Sequence, residues 1–254
     1  MRPEDGGFFA DLDGGWNVGP GILNGGYLLA VTARAAVIES PHPHPVALSA
    51  SYLRATGPGE VELFVTPGAA GRTLAHSQVL LGDPDDPNLS VQVTTATLGD
   101  AVADHAVPVP SIPPVADCLP TRTASEGPGS EVGIREYVDV RLDPSTAGWA
   151  VGKPSGDPVV RGWVQLADGA PADPFALAMF ADILPPSVWS MGMFGWTPTV
   201  QLQVLVRALP APGWCLVEAR TNEVAGGWID EDYRIWDSTG RLVAQSRQLA
   251  RTPR

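Results

Sequence analysis

Asp182 is the side chain in this sequence with the clearest chemical potential. It lies in the run Phe175-Ala-Leu-Ala-Met-Phe-Ala-Asp-Ile-Leu184, apolar but for this carboxylate and closed by Pro185 and Pro186. Burying a lone carboxylate costs several kcal/mol unless partners or function offset it. Desolvation also raises its pKa, and a carboxylate tuned in this way can act as a general base toward water. The competing reading is an Asp at the helix end that turns to solvent, because Pro185 follows so closely. Asn24-Gly25-Gly26 is a second candidate. Asn is a capping residue, and the free amides and positive dipole end of a helix opening there can bind a developing oxyanion. Two glycines are equally tolerable at a helix start on steric grounds alone.

Absences narrow the chemistry. The chain has no Gly-x-Ser-x-Gly elbow, no phosphate-binding loop and no His pair at metal spacing, so no metal or redox cofactor is called for. His42 and His44 stand in the Pro-rich stretch Pro41–Pro45 and are expected to be solvated. No histidine follows His105, which excludes a Ser-His-Asp triad built within the second half.

The elements that must position these residues read as one pattern written twice. Asn24–Glu39 has helical spacing at Leu28, Val31, Ala35 and Ile38, and is followed by Val46–Ala55. The Asp182 run, read as a helix over 175–184, is followed by Thr199–Ala208. The order continues with Pro58–Leu63 against Pro212–Val217, and with Val91–Thr97 against Val243–Leu249. About four strands are expected between Val46 and Leu98, separated by Gly, Pro and Asp turns. A short strand or hairpin precedes the first helix at 8–18, and strands at 135–142 and 159–166 precede the second. The domains are expected at 1–100 and 131–254, joined by a linker at 101–130 rich in Pro, Ala, Ser and Gly.

Composition agrees with two packed α+β halves. The 254 residues are 44% hydrophobic with no long apolar run, so no membrane span is expected. The start lacks the apolar core of a signal peptide, and Cys118 and Cys215 show no redox spacing, which points to the cytoplasm. A net charge of −12 disfavours nucleic acid and anionic membrane as partners, although local Arg side chains could hold an anionic small molecule. Arg54, Arg72 and Arg207 are candidates for that.

In the first half Leu23-Asn-Gly-Gly26, Ser51-Tyr-Leu-Arg54 and Gly71-Arg72 stand in order. In the second, Ala181-Asp182, Thr199-Val200 and Val243-Ala-Gln-Ser-Arg-Gln248 do. On these motifs the sequence resembles the double-hotdog acyl-CoA thioesterases, similar to acyl-CoA thioesterase II. The resemblance covers nearly the whole chain outside the linker. It implies two tandem hotdog units, each a curved antiparallel sheet wrapped around a central helix. It also implies hydrolysis of acyl-CoA to free acid and CoA, and a place in fatty acid metabolism. The family's catalytic Asp, Thr (or Ser) and Gln fall on Asp182, Thr199 and Gln248. In related hotdog enzymes the amides come from one unit and the carboxylate from the other, so Asn24, Gly25 and Gly26 would face Asp182 across the seam. Some family members carry His or Phe where Asn24 stands, which leaves a side-chain role there open. Hotdog units often assemble further, so a homo-oligomer is left open.

Strand parity adds to the choice of glutamine. Leu242, Ala244, Ser246 and Gln248 share one face, while Val243, Gln245, Arg247 and Leu249 share the charged one, so Gln248 is the better lining residue. On a regular strand Thr199, Gln201 and Gln203 share a face, which a β-bulge would change. The loop Trp189–Trp196 could wall an acyl pocket through Trp189, Met193 and Trp196, or be core. The first helix has no carboxylate near Ala33, so a single site is expected. The alternative function is a non-catalytic acyl-CoA or acyl-carrier binding hotdog protein. A hotdog hydratase is disfavoured by the missing histidine.

Overall fold

The computed structural model describes residues 2–4 (backbone only), 7–100, 105–106, 108–121 and 132–253. Of the expected linker, residues 101–104, 107 and 122–130 lie outside the described residues, as do residues 1, 5–6, 131 and 254 of the flanking units.

The first half runs β1 (Arg2–Glu4), β2 (Gly7–Leu12), β3 (Asn17–Gly19), β4 (Ile22–Leu23), α1 (Gly25–Ile38), β5 (His44–Tyr52), β6 (Gly59–Ala70), β7 (Leu74–Leu81) and β8 (Leu89–Ala96). The second runs β9 (Leu119–Pro120), β10 (Val138–Leu142), β11 (Val159–Leu166), α2 (Pro174–Phe180), β12 (Thr199–Val206), β13 (Cys215–Arg220), β14 (Val224–Ala225), β15 (Trp228–Trp236) and β16 (Leu242–Arg251). All but β3 and β4 join one antiparallel sheet. Its order is β1-β2-β6-β7-β8-β5-β12-β16-β15-β13-β11-β10-β9, with β14 paired to β15.

This order is nearly symmetric about the β5–β12 seam: β8 matches β16, β7 matches β15, β6 matches β13 and β2 matches β11. The sequence repeat is thus a structural repeat, and the fold is the expected double hotdog. At the seam Leu202 faces Ala50 and Val204 faces Leu48, and all four are buried. They join Leu29, Ala33 and Ala36 of α1 and Leu177, Ala178 and Phe180 of α2 in one core shared by both halves.

Asn24 caps α1 by accepting the Tyr27 amide. In the second half Asp173 accepts the Ala176 amide and Pro174 occupies the first helical position, so α2 starts firmly. It ends sooner than expected, at Phe180. The Asp182 amide bonds to Met179 O at 3.1 Å, the tight pattern of a closing 3₁₀ turn. Pro185 disfavours helical geometry at Leu184, and Asp182 therefore lies in the turn just beyond the helix.

Two further expectations are corrected. His42 is buried, with Nε2 2.9 Å from Gly71 O, and the Nδ1 of half-buried His44 accepts the Leu98 amide at 3.0 Å. The Pro-rich turn is pinned to neighbouring strands instead of standing in solvent. Part of the linker is also ordered against the second half, since the Trp163 indole donates to Pro113 O at 2.9 Å and β9 pairs with β10.

Candidate active site

Asp182 meets the opening turn of α1 across the seam between the halves. The Gly26 amide donates to Asp182 Oδ2 at 3.0 Å, and Asn24 Nδ2 donates to Asp182 O at 3.0 Å, with Oδ2 at 3.5 Å. The two partners are about 156 to 158 residues apart in the chain. Glycine is required for this approach. A Cβ on Gly26 would stand 2.5 Å from Met179 O, and one on Gly25 would stand 2.8 Å from Asp182 Oδ2. Asn24 thus has two tasks, capping α1 through its carbonyl oxygen and holding the Asp182 turn through its amide.

The Gly26 amide is therefore engaged by Asp182, whereas the sequence suggested two amides waiting for an oxyanion. The Gly25 amide has no hydrogen-bond acceptor among the described residues. It sits at the first position of a 14-residue helix, where the dipole favours negative charge.

Asp182 keeps a partly accessible edge, but its carboxylate is deeply set, and burial is the main cause of its raised pKa, which stands at about 7. The nearby Glu231 charge raises it further, and the Gly26 hydrogen bond pulls the other way. Tyr52 closes one side, donating its hydroxyl to Gly25 O at 2.8 Å. Ser246 donates to Ala181 O at 3.0 Å and ties β16 to the turn that carries Asp182.

Gln248 lies two residues beyond Ser246 on the same buried face, as parity suggested. Thr199 Oγ1 donates to Gln248 Oε1 at 2.7 Å. A register shift between Thr199 and Gln201 breaks the regular alternation of β12. Thr199 therefore turns toward Gln248 while Gln201 and Gln203 are exposed, so of the two arrangements the sequence left open the bulged one is present.

Glu231 is the residue that sequence reasoning missed. It lies directly opposite Gln248 in the β15–β16 pair, is 1% exposed, and accepts from Gln248 Nε2 at 2.6 Å and from the Ser187 amide at 2.6 Å. Its signal was available in parity: Ile229, Glu231, Tyr233 and Ile235 form the buried face of β15, between outward Asp230, Asp232 and Arg234. In the run Asp230-Glu231-Asp232 it reads superficially as part of a solvated acidic strand.

Trp189 and Met193 pack on Val188, Ile229 and Ala250, and Trp189 meets Trp149 edge-on at 5.0 Å. Trp196 stands apart from that cluster and is 57% exposed. Arg54 is paired with Asp86, and Arg207 bonds Gln245. A groove of about 470 Å³ crosses the sheet near Ser49, Gln203 and Arg247 and contains none of the candidate site residues. No described residues form a cluster of three or more metal-ligating side chains, and no helix among them is long and apolar enough to cross a membrane.

Family profiles describing an acyl-CoA thioesterase N-terminal domain and an acyl-CoA thioesterase C-terminal domain match residues 12–99 and 115–252. An uncharacterised Mycobacterium tuberculosis protein is 34% identical over 275 residues, spanning 97% of this chain and 91% of its own. A Thermobifida fusca crystal structure, provisionally described as a thioesterase II, is 35% identical with a TM-score of 0.89, covering 100% of this chain and 95% of that one. A protein of unknown function with a hot dog fold from Alicyclobacillus acidocaldarius covers the same shares at a TM-score of 0.85 and 18% identity.

Proposed function

Because the chain belongs to the acyl-CoA thioesterase family and carries that family's N- and C-terminal domains in order, we propose that it hydrolyses acyl-CoA to free acid and coenzyme A with Asp182 as general base. The observation that supports this most is the carboxylate itself: deeply set, raised to about 7, and seated on the helix amide of the opposite half. A base with a pKa near the working pH combines adequate ionisation with adequate proton affinity.

In this reading a water donates one proton to Asp182 and its other hydrogen bond to Thr199 Oγ1. The Thr199 proton is already committed to Gln248, so its oxygen is free to accept. The water's lone pair attacks the thioester carbonyl, and the Gly25 amide receives the oxyanion. Collapse of the tetrahedral intermediate breaks the C–S bond, and Asp182 returns its proton to the leaving sulfur. Trp189 and Met193 wall the acyl chain, with Trp196 at its accessible mouth.

A positioned base contributes about 10² to 10⁴ in rate and an oxyanion donor about 10² to 10³. The test is free-thiol release from short, long, branched and aromatic acyl-CoAs, comparing the native chain with Asp182→Asn. Loss of at least about 100-fold is expected. Near-native turnover by the variant would remove Asp182 as the base. Stabilisation by acyl-CoA without thiol release from the native chain would assign a binding role instead.

A further inference from the structure

Glu231 takes no part in the mechanism above, yet it ends the hydrogen-bond chain that reaches the reacting water. We propose that Glu231 is a positioning residue whose ionised carboxylate fixes the direction of the chain from Thr199 through Gln248, and thereby which atoms that chain presents to the hydrolytic water. The inference rests on the proposed role of Asp182.

A glutamine amide can stand in either of two orientations. With Nε2 2.6 Å from Glu231 Oε2, only one of them puts a donor against a carboxylate; the other would oppose two acceptors. Gln248 Oε1 must then face Thr199, whose hydroxyl donates to it at 2.7 Å. That commitment leaves Thr199 Oγ1 able only to accept. A water bonded to it must point a hydrogen at it and a second hydrogen at Asp182, so its lone pairs are left for attack. Reversing the amide would make Thr199 a donor to the water and occupy a lone pair needed for the reaction.

Burial pushes the Glu231 carboxyl up, and the Ser187 amide and the Gln248 amide, each donating to it at 2.6 Å, pull it back toward the charged form. Asp182 has the Gly26 amide, a longer contact from Asn24, and the closed phenol of Tyr52 nearby. Of two buried carboxylates in mutual repulsion, the one with the closer donors, 2.6 Å at Glu231 against 3.0 and 3.5 Å at Asp182, holds the charge and the other takes the proton first. Tyr233, which faces both, stays neutral, since burial and the two carboxylates hold its hydroxyl well above the ordinary range.

The test compares Glu231→Gln, Glu231→Asp and Asp182→Asn for kcat, KM, the pH dependence of kcat and thermal unfolding. Glu231→Gln should lower kcat by roughly 10- to 100-fold with KM little changed. Loss of its charge should also move the pH midpoint of kcat down by about one pH unit. Glu231→Asp keeps the charge but withdraws the oxygen, so it should lower kcat with the midpoint kept. A Glu231→Gln enzyme with native kcat and midpoint overturns the anchor role, as does a kcat loss that follows instability alone with the midpoint unmoved. Should Glu231→Gln not fold, Glu231→Asp decides, and native kcat in that variant overturns the proposal. An inactive Asp182→Asn beside a native-like Glu231→Gln sinks only this inference, whereas an active Asp182→Asn sinks the proposed mechanism.

Discussion

Asp182→Asn should stabilise the fold while abolishing turnover, and the gain should depend on pH in a defined way. The carboxyl stands at about 7 in the folded chain against an ordinary value of 3.8. Between those values the folded state holds a proton that the unfolded chain has released. Unfolding free energy therefore falls as pH rises from about 4 to about 7, and the penalty is complete above that range. Below about pH 4 both states are protonated and the penalty vanishes. At about 1.4 kcal/mol per pKa unit the ceiling is near 4 kcal/mol, and the accessible edge of the carboxylate lowers the expectation to about 2 kcal/mol. For a chain of this length that corresponds to roughly 4–8 °C in Tm. Asparagine is isosteric and can still accept the Gly26 amide, so little packing is lost. Thermal or urea unfolding of both proteins at about pH 4, 6 and 8.5 measures the effect. A stability difference that does not change with pH, or a variant less stable than native above pH 7, would refute the reasoning.

Turnover of acyl-CoA should rise with pH through about 7 to a plateau, because the base must be ionised; a profile flat across that range excludes Asp182 from the role. Gly26→Ala should cost about 2 kcal/mol in unfolding experiments, since its Cβ meets the Met179 carbonyl at 2.5 Å and backbone must move. Gly25→Ala meets the Asp182 carboxylate instead, at 2.8 Å, so its loss should register in kcat more than in Tm. Thr199→Val keeps the side-chain shape without the hydroxyl and should lower kcat by about 10- to 100-fold at a stability cost of about 1 kcal/mol, read by steady-state kinetics alongside thermal melts.

Much of the architecture was legible because it depends on local patterning. The cap at Asn24, the helix from Leu28 through Ala35 and the alternation along Ala244–Gln248 are properties of neighbouring residues, and they appear in the structure where the pattern puts them, whereas Ile38 is exposed and Val243, expected on the charged face, is buried. The order of four repeated segments was enough to imply two similar units, and the sheet order bears this out. Where the reading failed, a contact across the fold had overridden local pattern. His42 and His44 sit among turn residues that suggest solvent, yet backbone groups of distant segments claim their ring nitrogens.

The sequence by itself determined which residues are apolar, at what period, and that a single carboxylate interrupts the second apolar helical run. It also determined that glycines stand where α1 opens, which permits another segment to come close. Residue patterning alone does not say which segment that is; the family resemblance implied the Asp182 turn, and the tertiary structure brings it there because β5 and β12 join two half-sheets into one. Closure of the sheet also selected the bulge that turns Thr199 inward and the register that sets Glu231 opposite Gln248. Hydrophobic periodicity is written along the chain, whereas hydrogen bonds between strands and the desolvation of a carboxylate depend on what packs against them from elsewhere.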